Sequence, residues 1–249
     1  MHEYQWSESM TAKGKRALIT GASSGIGEAT AMAFAKAGIH VALLSRSANK
    51  LEKVAEAARQ EGVEVETLTL DLLELDRVRE QVSNLAEKFG GIDILVNNAG
   101  MAYTAKLMDT PLHHWRKVLD LNLTSAFECV KGVLPGMRSR GSGIIVNVVS
   151  VAGKQAFPIW GAYSASKFGL LGMSQALAAE ERENGIRVTA MCPGAVNTPI
   201  WETETVDSDF DRSKMLTPEI VAESILHVVG LPDGAVVEEL VLMPSGGAF

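Results

Sequence analysis

The sequence predicts a single-domain α/β protein, in which a doubly wound parallel sheet of seven strands is covered by helices on both faces. Short apolar runs alternate with longer amphipathic stretches along most of the 249 residues, and this alternation is typical of βαβ units in a parallel sheet. A glycine-rich turn directly follows the first apolar run. No repeat, low-complexity segment or linker interrupts the pattern, so we expect one domain.

The predicted elements follow from the periodicity of the apolar residues. Strands are expected at seven short apolar runs, which are 16–20, 39–45, 63–70, 92–96, 143–149, 186–192 and 238–243. Helices are expected at six amphipathic stretches, which are 25–37, 48–61, 74–89, 112–139, 161–184 and 217–229. Residues 1–14 are polar and aperiodic, so we interpret them as a loose lead-in to a domain formed by residues 15–249.

The composition argues against several classes of protein. A formal net charge of -7 disfavours nucleic-acid binding, which needs a basic surface. No apolar run approaches the length of a membrane span, and the first residues, with Glu3 and Glu8, lack the apolar core of a signal peptide. Cys129 and Cys192 lie far apart without metal-ligand spacing. We therefore predict reduced thiols, no metal site and a cytoplasmic protein.

The glycine-rich turn has the features of a dinucleotide-binding site. Glycines allow a tight bend and a close approach to a pyrophosphate, and the N–H groups at the start of the next helix face the anion. The turn lies between a strand and a helix at the start of the domain, which is the context that this interpretation requires. We therefore expect a Rossmann-type fold. The candidate cofactor residues of the turn are Gly21, Ser23, Ser24, Gly25, Ile26 and Gly27.

A set of motifs in fixed order gives the chain a resemblance to a known family. The motifs are T-G-x-x-x-G-x-G at 20–27, Asn-Asn-Ala-Gly at 97–100, Asn122, Ser150, Tyr-Ser-Ala-Ser-Lys at 163–167 and Pro-Gly-Ala-Val-Asn-Thr at 193–198. With them the chain resembles the short-chain dehydrogenase/reductase family over residues 14–244. The resemblance implies an oxidoreductase that moves a hydride between a nicotinamide dinucleotide and a carbonyl or alcohol carbon.

The candidate catalytic residues are Asn122, Ser150, Tyr163 and Lys167. Tyr163 and Lys167 are four residues apart and project from one face of a helix. A free phenol has a pKa near ~10. A neighbouring ammonium and an oxidised nicotinamide should lower the pKa of Tyr163, so that it exchanges a proton with the substrate. Ser150, at a strand end, is placed to bind the substrate oxygen. The resemblance implies that Lys167 also holds the nicotinamide ribose, and that Asn122 holds a water linking Lys167 to solvent.

The resemblance assigns further cofactor contacts to the ends of three strands and to the helix that carries Tyr163 and Lys167. Asp71 would bond the adenine, or instead cap its own loop, and Asn98 is better suited to steadying the central strand than to touching substrate. Val196 and Thr198 resemble residues that bind the nicotinamide carboxamide and the pyrophosphate, although Thr198 with Pro199 also suits a simple turn. The full set is Asp71, Leu72, Asn98, Ala99, Gly100, Tyr163, Lys167, Pro193, Gly194, Val196 and Thr198.

The end of the second strand favours NADP(H), with NAD(H) as the alternative. NAD enzymes generally place an acid there for the ribose 2′-hydroxyl, whereas this chain has Ser45 followed by Arg46. A guanidinium can donate a pair of hydrogen bonds to a 2′-phosphate, and Ser23 in the glycine turn is a candidate to assist it. The other interpretation is that Arg46 is a solvated residue at the start of a loop.

The substrate is a small-molecule carbonyl or alcohol whose identity the sequence leaves open. Residues 195–216 are expected to form an acidic flap over an apolar pocket lined by Met101, Tyr103, Val151, Phe157, Trp160 and Trp201. A 3-oxoacyl-[acyl-carrier-protein] reductase is one alternative, and a non-catalytic NADP-binding sensor or scaffold is another. Surplus apolar positions in 112–139 and 161–184 predict a homotetramer, or else a homodimer.

Overall fold

The computed structural model describes residues 12–207 and 211–246. One parallel sheet has the strand order β3-β2-β1-β4-β5-β6-β7. The strands are β1 (Arg16–Thr20), β2 (His40–Ser45), β3 (Val65–Thr69), β4 (Ile94–Asn97), β5 (Gly143–Val148), β6 (Ile186–Pro193) and β7 (Glu239–Leu242). The order reverses between β1 and β4, which opens a crevice at the carboxyl ends of the strands. The predicted Rossmann-type sheet of seven strands is confirmed.

Helices cover both faces of the sheet. They are α1 (Gly25–Lys36), α2 (Ala48–Gln60), α3 (Leu75–Lys88), α4 (Leu112–Leu119), α5 (Ser125–Arg140), α6 (Gly161–Glu181) and α7 (Pro218–Val229). Side chains alternate along each strand, so Ile19 of β1 joins the core beneath α1, α2 and α7. Its neighbour Leu18 joins the core beneath α3, α5 and α6. No helix within the described ranges is long and apolar enough to span a membrane.

The predicted helix 112–139 is two helices separated by a wider turn. A π-helical segment, Asp120–Thr124, lies between α4 and α5 and holds the buried side chain of Asn122. The amphipathic pattern continues on both sides of this turn, so the periodicity did not reveal the break. The stretch predicted as 161–184 ends its α-helix at Glu181 and finishes in a short 3-10 turn, Arg182–Asn184.

The end of the predicted lead-in belongs to the domain. Ala12 is fully buried in the core beneath α1, and the Gly14 N–H donates to the Gly38 carbonyl at 2.9 Å. Most of the lead-in, residues 1–11, lies outside the described residues, as do residues 208–210 of the flap.

Candidate active site

The carboxyl ends of the strands surround one continuous cleft of about 1150 Å³. Its lining includes nearly all the predicted site residues. These are Gly21, Ser23, Ser24, Gly25, Ile26, Ser45, Arg46, Asp71, Leu72, Asn98, Ala99, Gly100, Ser150, Tyr163, Lys167, Pro193, Gly194, Val196 and Thr198. Gly27 and Asn122 do not line the cleft. They contact residues that do, since Gly27 packs against the Gly21 carbonyl and Asn122 is hydrogen-bonded to the Met101 backbone. The cleft therefore unites residues spread over most of the chain.

The glycine turn leaves room for a ligand at the start of α1. A Cβ atom on Gly27 would lie 2.3 Å from the Gly21 carbonyl oxygen, so only glycine lets the helix come this close to the strand. Gly21 has a φ of +66° and turns the chain sharply at this point. Ser24 precedes the helix without a side-chain capping bond. The first N–H groups of α1 and the Ser23 and Ser24 hydroxyls thus form a donor set that fits a pyrophosphate.

The end of the cleft next to β2 is basic. The Ser45 hydroxyl lies 2.7 Å from that of Ser23, and the exposed Arg46 lines the cleft beside them. The structure adds Lys50 from the first turn of α2, which the sequence reasoning missed. The nearest acid on that helix, Glu52, pairs with Arg59. This end of the cleft is therefore fitted to an anionic group.

The ends of β1 and β4 are bound together by Thr20 and Asn98. The Thr20 hydroxyl accepts the Asn98 and Ala99 N–H groups at 3.0 Å each, and Asn98 Nδ2 donates to the Thr20 carbonyl at 3.0 Å. This geometry supports the structural role expected for Asn98. Asp71 accepts the Leu73 N–H at 3.0 Å, so one of its carboxylate oxygens caps its own loop while the residue lines the cleft.

Ser150, Tyr163 and Lys167 meet where β5 and α6 border the cleft. The Ser150 hydroxyl accepts the Ala152 N–H at 3.1 Å and also forms a hydrogen bond with Tyr163. Lys167 is 4% exposed, and its Nζ donates to the Val148 carbonyl at 2.8 Å. The same Nζ lies 5.6 Å from the centre of the Tyr163 ring. The predicted acid–base group is thus assembled on one wall.

Burial dominates the protonation of this group. It raises the pKa of the Tyr163 phenol, and the hydrogen bond with Ser150 opposes that rise only in part. Burial also lowers the pKa of Lys167 to about 8. The lowered pKa expected for Tyr163 is therefore not found in the chain alone, because loss of solvent outweighs the hydrogen bond with Ser150. The phenol is protonated at neutral pH.

Asn122 fixes the loop that follows β4. Its Oδ1 accepts the Met101 N–H at 2.8 Å and its Nδ2 donates to the Met101 carbonyl at 2.9 Å. The same Nδ2 donates to the Ser166 hydroxyl at 2.9 Å, one residue before Lys167. Asn122 thereby connects the cleft floor to α6. Its expected role in holding a water stays a prediction.

Aromatic rings form the substrate end of the cleft. Trp160 lies edge-to-face with Tyr163 and with Trp201, with 5.6 Å between ring centroids in each pair. Of the six predicted pocket residues, five line the cleft: Met101, Val151, Phe157, Trp160 and Trp201. The expectation for Tyr103 is wrong, because its ring stacks on His114 at 4.4 Å instead. Ile159 precedes Trp160 with a φ of +62°.

The described part of the flap is anchored on both sides of the cleft. At its base Val196 and Leu216 form a bridge, and the Arg212 guanidinium donates to the Asn197 side chain at 2.8 Å. Farther along, the Thr205 hydroxyl donates to the Ala102 carbonyl at 2.8 Å. The flap therefore closes the substrate end against the loop after β4.

Comparison with known proteins agrees with this geometry. A family model described as short chain dehydrogenase matches residues 15–209. A putative ketoacyl reductase of Streptomyces coelicolor is 37% identical over 254 residues, covering 93% of this chain and 95% of the relative. An alcohol dehydrogenase of Thermococcus sibiricus complexed with 5-hydroxy-NADP superposes with a TM-score of 0.86 at 31% identity, covering 94% of this chain and 97% of that one.

Another relative is much longer than this chain. Glycine betaine reductase of Emericella nidulans is 36% identical over 237 residues, which is 93% of this chain but 19% of that protein. The family model spans the glycine turn, strands β1 to β6 and the Ser150, Tyr163 and Lys167 group. The chain belongs to the short-chain dehydrogenase/reductase family, whose members are nucleotide-binding oxidoreductases.

Proposed function

We propose that this protein is an NADP(H)-dependent reductase that reversibly converts a small ketone, aldehyde or 3-oxo compound into the alcohol. One observation carries the proposal: a half-buried, protonated Tyr163 lies beside Ser150 and Lys167 in a cleft whose far end carries Arg46. An acid, an oxyanion donor and a cofactor channel are thus present in one cavity. The solved relative with an NADP derivative supports the choice of cofactor.

The cleft residues fit a phosphorylated nicotinamide dinucleotide. The glycine turn and the start of α1 would bind its pyrophosphate, and Arg46, with Ser45 and Ser23, would bind the 2′-phosphate. Lys167 would hold the nicotinamide ribose. When bound, the reduced cofactor supplies the hydride that the carbonyl carbon accepts.

Tyr163 acts as the proton donor in reduction. Its phenol gives the proton to the carbonyl oxygen while Ser150 donates a hydrogen bond to the same oxygen, which stabilises the developing charge. The Lys167 ammonium, charged below its pKa of about 8, stabilises the phenolate that remains. In alcohol oxidation the same groups work in reverse, and Tyr163 accepts the proton.

The 3-oxoacyl-[acyl-carrier-protein] alternative is supported by the name of the Streptomyces relative. An acidic carrier protein needs a basic approach surface. Arg138 is bound to the buried Glu181, and Arg140 donates to the Ile92 carbonyl at 2.5 Å. These two arginines are therefore already engaged within the domain, and we favour a small free substrate.

The sensor alternative needs only the cofactor end of the cleft, so it leaves the Ser150, Tyr163 and Lys167 arrangement without a purpose. A cytoplasmic location is part of the proposal. It is supported by the free, buried thiols of Cys129 and Cys192, whose pKa values burial raises to about 12 and about 11.

Loss of NADPH absorbance with a panel of ketones, aldehydes and β-ketoesters tests the proposal. Tyr163→Phe should lower kcat by at least ~10², because the general acid is lost, while NADPH binding measured by fluorescence is retained. Tyr103→Phe is the matched control, since Tyr103 lies outside the cleft, and it should keep near-normal turnover. Near-normal turnover in Tyr163→Phe would show that another group supplies the proton. No turnover by the wild type with any carbonyl would favour the sensor.

A further inference from the structure

The substrate end of the cleft combines aromatic rings with an acidic rim. From this combination we infer that the substrate carries an alkylated ammonium group close to its carbonyl. The inference rests on the proposed reductase function and adds the chemical class of its substrate.

The rings form a partial cage. The Trp160 ring makes an angle of 71° with Tyr163 and 66° with Trp201, and all three residues line the cleft, so their rings border it in different orientations. The Trp201 indole N–H donates to the Val196 carbonyl at 2.7 Å, which turns its polar edge towards the backbone. Phe157 lines the same region. Rings arranged in this way attract a cation through their quadrupoles and contact its methyl groups.

The acidic rim leaves one carboxylate at the cleft without a cation. Glu202 is paired with Arg212 at 2.6 Å, and Asp211 with Lys214 at 3.3 Å. Glu204 lines the cleft and has no ion-pair partner among residues 12–207 and 211–246. The rim is therefore negative where a substrate enters, which attracts cations and repels carboxylates.

The cations that line the cleft lie towards its cofactor end or beneath the catalytic group. Arg46 and Lys50 flank Ser45 at the adenosine end. Lys117 is four residues before Leu121, a residue that packs in one cluster with Leu72 and Ala99 on the cofactor side. Lys167 points to the Val148 carbonyl beneath Tyr163. Since the Lys167 ammonium lies against the Tyr163 ring, the cage proper consists of Trp160, Trp201 and Phe157, and Glu204 lines the cleft three residues after Trp201.

The distance between rings limits the length of the substrate. Tyr163 must reach the carbonyl oxygen, and the Trp160 ring centre is 5.6 Å from that of Tyr163. A short linker between the two groups therefore suffices to place the carbonyl at the Tyr163 phenol and the ammonium at the cage. In the reaction, NADPH gives its hydride to the carbonyl carbon and Tyr163 gives its proton to the oxygen, which yields the ammonium alcohol and NADP⁺.

Two aldehydes of equal shape test the inference. Trimethylammonioacetaldehyde and 3,3-dimethylbutanal differ in the charged nitrogen that replaces a carbon. The ratio of their kcat/KM values should fall about 3- to 30-fold in Trp201→Leu, which is the effect of losing a cation–π contact. Glu204→Gln should lower the ratio about 2- to 5-fold, as expected for an exposed charge. Comparing ratios between variants removes the different intrinsic reactivity of the two aldehydes. Trp115→Leu, outside the cleft, is the matched control and should leave the ratio unchanged.

A binding measurement gives a readout independent of turnover. Calorimetry with the NADP⁺-loaded protein should show tighter binding of 2-(trimethylammonio)ethanol than of 3,3-dimethylbutan-1-ol, and Trp201→Leu should reduce the difference. If Trp201→Leu lowers kcat/KM equally for both aldehydes, Trp201 is only structural and the inference fails. Reduction of neutral carbonyls with an unchanged ratio overturns the inference and leaves the proposed function standing. Absence of any carbonyl reduction overturns the proposed function itself.

Discussion

Among single residues, Arg46 determines the expected choice between the two dinucleotides. Charge-assisted hydrogen bonds contribute about 1.5–3 kcal/mol, so the wild type should prefer NADPH over NADH by roughly ten- to a hundredfold. Arg46→Ala should remove most of this preference and leave NADH kinetics nearly unchanged. The ratio of kcat/KM for NADPH to kcat/KM for NADH, from steady-state kinetics of the wild type and the variant, measures this preference. Arg182→Ala, at the opposite end of the sheet, is the control. Unchanged selectivity in Arg46→Ala would transfer the role to Lys50.

The buried ammonium of Lys167 should couple stability to pH. Its pKa is about 8 in the folded chain against an ordinary 10.5, so between these values the unfolded chain holds a proton that the folded chain has released. The Lys167 contribution to stability therefore rises with pH across this window. Below pH 8 both states are protonated, and the cost of burying the charge is fully present.

Lys167→Met isolates this effect because its side chain has a similar length and no charge. The free energy of unfolding, measured with urea from pH 7 to 10, should increase with pH in the wild type relative to the variant. Titration of Cys129, Cys192 and Tyr163 is common to both proteins and cancels in the difference. A flat difference curve would mean that Lys167 is not shifted in the folded chain.

Among the elements, the π turn between α4 and α5 is constrained by the hydrogen bonds of Asn122. Asn122→Ala would leave the Met101 N–H and carbonyl and the Ser166 hydroxyl without their partner. Lost buried hydrogen bonds cost about 1–3 kcal/mol, and we expect urea unfolding to show a loss of this size. Turnover should fall as well, since Ser166 precedes Lys167. Asn49→Ala, at an exposed position of α2, should cost little. Equal stability of the two variants would contradict the constraint.

The elements also show how far the sequence alone could lead. Strands and helices were predictable because buried strands are short apolar runs and each helix has one apolar face. The π turn was not, since neither glycine nor proline marks it and the amphipathic pattern continues through it. The same limit applies to Lys50 and Tyr103. Whether their side chains reach the cleft depends on how α2 and the loop after β4 pack, which periodicity does not encode.

For the whole molecule, we propose self-association through α5 and α6. Of the apolar positions that suggested it, Val130 and Leu177 are buried in the domain's own core. Phe127 on α5 and Phe168 on α6 remain 44% and 45% exposed, and Leu123 of the π turn before α5 packs close to Gly169 of α6. Burying two such rings against a second copy would remove apolar surface from water.

Light scattering at micromolar concentration should give a tetramer or a dimer. Phe168→Glu should shift the mass towards the monomer, because it would bury a charge in the interface. Lys53→Glu, on the exposed face of α2, introduces the same side chain and should leave the mass unchanged. A monomeric wild type would contradict the proposal.

Ile159 has a consequence for how the specificity of this enzyme can change. A β-branched residue in the left-handed region costs about 1–2 kcal/mol, and such strain persists only where the surroundings leave no alternative. Here the Ile159 carbonyl accepts the Ala105 N–H at 2.8 Å, and the next residue is Trp160. The wall of the pocket therefore contains a strained backbone conformation at Ile159, which its surroundings hold in place. Replacement by glycine would release this strain and would also remove the Ile159 side chain from the lining of the cleft, so a single substitution at this position offers a short evolutionary route from a selective pocket to a permissive one.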